Sequence, residues 1–73
     1  SAKPEPGPGA FNLTDRERDI VRLVARGMDN REIARTLYLA EGTVRNNLSR
    51  VLEKLELKDR TQLAVFAVKN NLD

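Results

Sequence analysis

The sequence predicts an all-α domain of four short helices joined by tight turns, the second and third spaced as a helix-turn-helix. Three observations support this. Apolar residues return at intervals of three and four along most of the chain. Two capping boxes, Thr14-Asp15-Arg16-Glu17 and Asp59-Arg60-Thr61-Gln62, mark helix starts. Between them, Glu41 to Leu55 reads as a helix with one dry face and one hydrogen-bonding face.

Ser1 to Asn12 holds all three prolines and two of the four glycines. Pro4, Pro6 and Pro8 favour an extended, solvated strand, so residues 1–12 are expected to be a flexible linker and residues 13–73 the domain. Thr14 caps the first helix with Glu17 as its reciprocal partner. Ile20, Leu23 and Val24 form its inner face, Leu13 staples onto that face, and Gly27 stops the helix. Arg16, Arg18, Arg22 and Arg26 read as a solvated face, partly paired as Asp15–Arg18 and Asp19–Arg22. Met28-Asp29-Asn30 forms a turn, with Asn30 as the expected cap of a second helix. Ile33, Ala34 and Leu37 face inward on that helix, and Arg31 and Arg35 outward. Glu32 is placed to pair with Arg35. Tyr38-Leu39-Ala40 connects to the third helix. After the turn at Leu57-Lys58, Asp59 and Gln62 open a fourth helix running to about Asn70. Its six-residue apolar run would also suit a strand, but two alanines and the capping box favour helix.

Composition narrows the function. The 73 residues form one domain at most, with a core expected to supply only about 3–5 kcal/mol. A chain this short leaves no room for an ordinary catalytic cavity. With no Cys and no His, zinc-finger ligation, disulfides and Cys or His nucleophile–base pairs are excluded. No carboxylate pair stands out as catalytic, so neither an enzyme nor a cofactor site is expected. The longest apolar run, Leu63 to Val68, falls far short of the roughly 20 residues that cross a bilayer. No membrane role and a cytoplasmic location are expected. Thirteen Lys and Arg against eleven Asp and Glu give a net charge of only +2. Its distribution is more telling: Arg31 to Lys54 carries five basic residues against three acidic ones.

The third helix points to DNA. With Val44 as origin and about 100° per residue, Leu48, Val51 and Leu55 fall on one side, with Leu52 at its edge. Gly42, Asn46, Ser49 and Glu53 fall opposite, flanked by Arg45 and Arg50. These short or planar hydrogen-bonding groups differ from the Lys and Glu of an ordinary surface helix. In a helix-turn-helix the second helix of the pair enters the major groove, where Arg suits guanine and Asn suits adenine. Arg45, Asn46 and Ser49 are therefore the candidate base contacts. Gly42 and Thr43 keep the tip small, and the helix start offers N–H groups and a positive dipole to phosphate. Arg31, Arg35, Thr43, Asn47, Arg50 and Lys54 are the candidate backbone contacts. Roughly five such contacts would make log affinity fall with log salt at about −0.9 per contact. Glu53 would repel DNA and so ends the contact near Arg50.

The motifs Leu13-Thr14-Asp15-Arg16-Glu17, Asn30-Arg31-Glu32-Ile33-Ala34, Gly42-Thr43-Val44-Arg45, Lys54-Leu55 and Arg60-Thr61-Gln62 together resemble the LuxR/NarL/FixJ-type helix-turn-helix domain. The resemblance runs from Leu13 to the C-terminus. It implies a four-helix output domain of a bacterial transcription regulator, most often a two-component response regulator with an N-terminal receiver. It implies base contacts from the third helix, at Arg45, Asn46 and Ser49, and backbone contacts at the positions already named. Glu17 and Arg60 match marked positions that read as polar links between helix ends. Two positions depart from the pattern. Ala40 stands where Ser or Thr often caps the recognition helix, a loss of typically about 1 kcal/mol. Tyr38 stands where a small residue is frequent, and the sequence leaves open whether it packs over the turn or reaches a phosphate with its hydroxyl.

On the fourth helix, Leu63, Phe66 and Ala67 form an inward stripe, and Ala64, Val65 and Val68 form a second. The resemblance implies dimerisation through this helix, making Thr61, Ala64, Val65, Val68 and Lys69 the candidate contact. The expected partners are double-stranded DNA with two half-sites, a second copy held weakly, and RNA polymerase as a further candidate. Two rival functions remain: a promoter-reading region like that of a sigma factor, and a helical module that binds protein through the fourth helix. The Gly42-Thr43-Val44-Arg45 tip and the additional helix disfavour the first. The second would show no salt-dependent DNA affinity.

Overall fold

The computed structural model describes residues 10–73. The expected linker at residues 1–9 lies outside the described residues. A 3-10 turn, Ala10–Asn12, precedes α1 (Asp15–Ala25), α2 (Asn30–Leu37), α3 (Glu41–Leu55) and α4 (Arg60–Lys69). The described residues contain no strand.

Three helices start on side-chain caps. Thr14 Oγ1 accepts from Glu17 N at 3.1 Å while Glu17 Oε1 accepts from Thr14 N at 2.9 Å, the expected reciprocal box. For α2 the cap is Asp29 and not the expected Asn30: Asp29 Oδ1 accepts from Glu32 N at 2.8 Å, and Glu32 Oε1 from Asp29 N at 3.2 Å. Asn30 is thereby released for a bond to Arg60. The fourth cap is only half reciprocal. Asp59 Oδ1 accepts from Gln62 N at 2.9 Å, but Gln62 Oε1 accepts from the N–H of Lys58, at 2.7 Å. Only α3 begins, at Ala40, without a side-chain cap.

The helix ends share one device of which sequence signalled a single instance. Gly27, Tyr38, Glu56 and Asn71 all adopt the left-handed conformation. In each case the next N–H reaches back five residues, as in Met28 to Leu23 O at 3.2 Å and Leu39 to Ala34 O at 2.8 Å. Leu57 to Leu52 O, at 2.9 Å, and Leu72 to Ala67 O, at 2.8 Å, complete the set. Met28, Leu39, Leu57 and Leu72 are all apolar and turn onto the core. Each helix is thus ended by one left-handed residue and fixed by one hydrophobic anchor.

Helix α1 packs against the other three helices. That placement widens its dry face beyond the expected stripe: Val21, adjacent to Ile20, is also fully buried. The core is completed by Leu13, Ile33, Ala34, Val44, Leu48, Val51, Leu63, Ala67 and Leu72. Packing begins upstream of the expected start at Leu13. The Phe11 ring meets Phe66 edge-on, centroids 5.1 Å apart, and the Asn12 carbonyl accepts from Lys54 Nζ at 3.1 Å.

Candidate nucleic-acid interface

Helix α3 is split lengthwise as its periodicity predicts. Val44, Leu48 and Val51 are buried, whereas Thr43, Arg45, Asn46, Ser49 and Arg50 are exposed on the other side. Asn47 is half-buried, and its Nδ2 donates to Thr43 O at 2.8 Å, so that amide is turned back along the helix. At the tip, a Cβ added to Gly42 would meet only the Arg45 Nη2, at 3.8 Å, an ordinary contact with the end of a flexible side chain. Nothing inside the domain therefore requires glycine at this helical position.

The flank contributed by α2 carries Arg31 and Arg35, both exposed. The expected Glu32–Arg35 pair does not take shape, because the Glu32 carboxylate is held by the Asp29 N–H. Among the described residues Arg35 forms no ion pair. On α1, the Asp19–Arg22 pair forms at 3.4 Å.

Lys54, a candidate backbone contact, is engaged within the domain. Its ammonium lies 2.7 Å from Glu17 Oε1 and also bonds the Asn12 carbonyl, with the side chain 27% exposed. Glu17 itself is 1% exposed. Burial pushes its carboxyl up, but Lys54 and Thr14 outweigh burial and hold it below the usual value. This pair spans 37 residues of sequence, so helical spacing gave no signal of it. Arg60 forms the second polar link, donating to Asn30 Oδ1 and to the Met28 carbonyl. It ties the start of α4 to the α1–α2 turn, while Glu17–Lys54 ties the start of α1 to the end of α3. Helix α3 is thereby held at both a buried stripe and the Glu17 carboxylate.

The outer face of α4 keeps Val65 50% and Val68 47% exposed. Together with Ala25, Ala64 and Lys69 they line a shallow apolar depression. Thr61 borders a neighbouring one with Leu57 and Phe66. The candidate dimerisation residues thus lie on one continuous side of the domain.

Four helices, with exposed arginines on α2 and a polar outer face on α3, have the architecture of a helix-turn-helix domain. Residues 11–67 match the family described as bacterial regulatory proteins, luxR family. The chain belongs to that family. It is 49% identical over 63 residues to the transcriptional regulatory protein YhcZ of Bacillus subtilis, covering 86% of this chain and 29% of the relative. It is 43% identical over 59 residues to the transcriptional regulatory protein LnrK of the same organism, covering 81% and 27%. The response regulator protein VraR of Staphylococcus aureus is 43% identical over 60 residues, covering 82% and 29%. The chain therefore spans under a third of the length of these relatives.

Proposed function

We propose that this domain is the DNA-reading output unit of a longer response regulator, with α3 lying in the major groove. Arg45, Asn46 and Ser49 meet base edges. Arg31, Arg35, Thr43 and Arg50 meet the backbone, with the half-buried Asn47 at the edge of the contact. Lys54 is assigned to the fold, since its charge is neutralised by Glu17. The observation that carries this reading is the α3 face itself: forks, amides and hydroxyls stand opposite the buried Val44, Leu48 and Val51. The uncapped start adds N–H groups and positive dipole where a phosphate would approach. The similarity to the transcriptional regulatory proteins YhcZ and LnrK supports a role in transcription.

Arg45→Ala tests the proposal directly. It is expected to lower affinity for the operator by about 1–3 kcal/mol and to relax discrimination at one base pair. Equal losses on operator and random duplex, measured by anisotropy, would make Arg45 a phosphate contact only. Gly42→Ala separates folding from binding. Alanine in a helix is favoured over glycine by about 0.5–1 kcal/mol, so the domain should melt higher while binding DNA less tightly. Affinity that rises with stability would remove the need for close approach at the tip.

The exposed Val65 and Val68 support pairing through α4. So small a face, under about 1,200 Å² in total, suits a weak contact. Sedimentation should show a monomer in isolation and two copies on a two-half-site duplex. A tight dimer without DNA would contradict this assignment.

A further inference from the structure

We propose that Tyr38 is a neutral clamp on the DNA backbone, its hydroxyl donating to a phosphate at the groove wall beside the α3 tip. This rests on the major-groove placement of α3. Tyr38 is 95% exposed, so the domain makes almost no use of the ring. Its backbone is nevertheless left-handed, at φ 58° and ψ 46°, a conformation that is unfavourable for a side chain of this size. Asparagine or glycine would make the same turn with less strain. Glu56 and Asn71 end helices in the same conformation, so it is the unpacked ring and not the backbone that points to a use outside the chain.

Its placement indicates that reason. The turn is anchored from within by Leu39, which packs against the core and whose N–H bonds Ala34 O at 2.8 Å. Tyr38 is the residue immediately before this anchor and projects the opposite way, into solvent. It stands between the exposed arginines of α2 and the uncapped start of α3, the two parts of the domain that flank the groove wall. The ring has only two rotatable side-chain bonds and a rigid base, so little freedom is lost when its hydroxyl finds an acceptor. Packing over the turn, the other use open to Tyr38, is excluded by the exposure.

The test compares wild type with Tyr38→Phe, which keeps the ring and the turn and deletes the oxygen. Tyr38→Phe should melt as wild type and bind duplex about three- to tenfold more weakly, equally on operator and random sequence. A phenol displaces no counterion, so the deficit should stay constant between 50 and 200 mM salt. Arg35→Ala, by contrast, should flatten the salt slope by about 0.9. The deficit should vanish on a duplex whose facing phosphates are replaced by neutral methylphosphonates. Because Tyr38 is the only tyrosine, ring-labelled protein gives one set of NMR signals, which should shift on adding duplex. Wild-type affinity in Tyr38→Phe, or ring signals that stay still, would overturn the clamp while leaving DNA binding intact. A defect confined to transcription with RNA polymerase, at unchanged duplex affinity, would also overturn it. Failure of wild type to bind any duplex would overturn both this proposal and the placement of α3.

Discussion

Leu63→Ala is expected to leave the domain largely unfolded at room temperature. Leu63 has no exposed surface and lies on the face of α4 that packs against α1. Deleting a fully buried leucine side chain removes its transfer free energy and leaves a cavity, together about 2–5 kcal/mol. A core of this size holds only about 3–5 kcal/mol in total. The loss is therefore comparable with the whole stability, and little slack exists to absorb it. Val65→Ala, two residues away but half exposed, should change stability by at most about 0.5 kcal/mol. Circular dichroism during urea unfolding reads both. A Leu63→Ala melt close to that of wild type would mean that α4 is an appendage and not part of the core.

Lys54→Met should also destabilise strongly, and in a way that depends on pH. Removing one partner of a buried ion pair typically costs about 3–5 kcal/mol, because the other charge stays buried. The Lys54 side chain is 27% exposed, so water can partly replace it, and about 2–3 kcal/mol is the expected loss. In the wild-type domain the Glu17 carboxyl is held below its ordinary value. Its contribution is therefore fully present above the unfolded carboxylate range and is lost as pH falls through the lowered folded value. In Lys54→Met the burial remains while the compensating charge is gone. Protonation of Glu17 then relieves the defect, so the gap between variant and wild type should shrink as pH falls. A direct phosphate role for Lys54 would show differently: unchanged stability at every pH and a salt slope of DNA binding flatter by about 0.9.

These two residues also mark how far the sequence could be read. Leu63 was legible as core because its stripe recurs at helical spacing, and the exposed stripe beside it was equally legible. The outward set on α3 followed from the same geometry applied to Val44. Lys54 was not legible as an internal partner. Its spacing put it near the DNA side of α3, and nothing local indicated that the start of α1 folds against it. Asn30 was misplaced as a cap for a related reason. Two capping residues stood side by side, and Asp29 prevails because Glu32 lies three residues beyond it and closes the box.

The sequence by itself determined where the helices start, which stripe of each is dry, and which face of α3 is polar and exposed. These are local properties, set by spacing along 3.6 residues per turn and by caps within three residues. The tertiary structure alone decided four further points. Val21 is buried as fully as Ile20. Lys54 is held by Glu17 and by the carbonyl of Asn12. Three side-chain-bearing residues, Tyr38, Glu56 and Asn71, make turns that usually favour glycine. Tyr38 is left wholly in solvent beside the tip of α3. Each of these depends on which helix covers which, and that is fixed only when α1 is enclosed by the other three, bringing together residues that the chain keeps far apart.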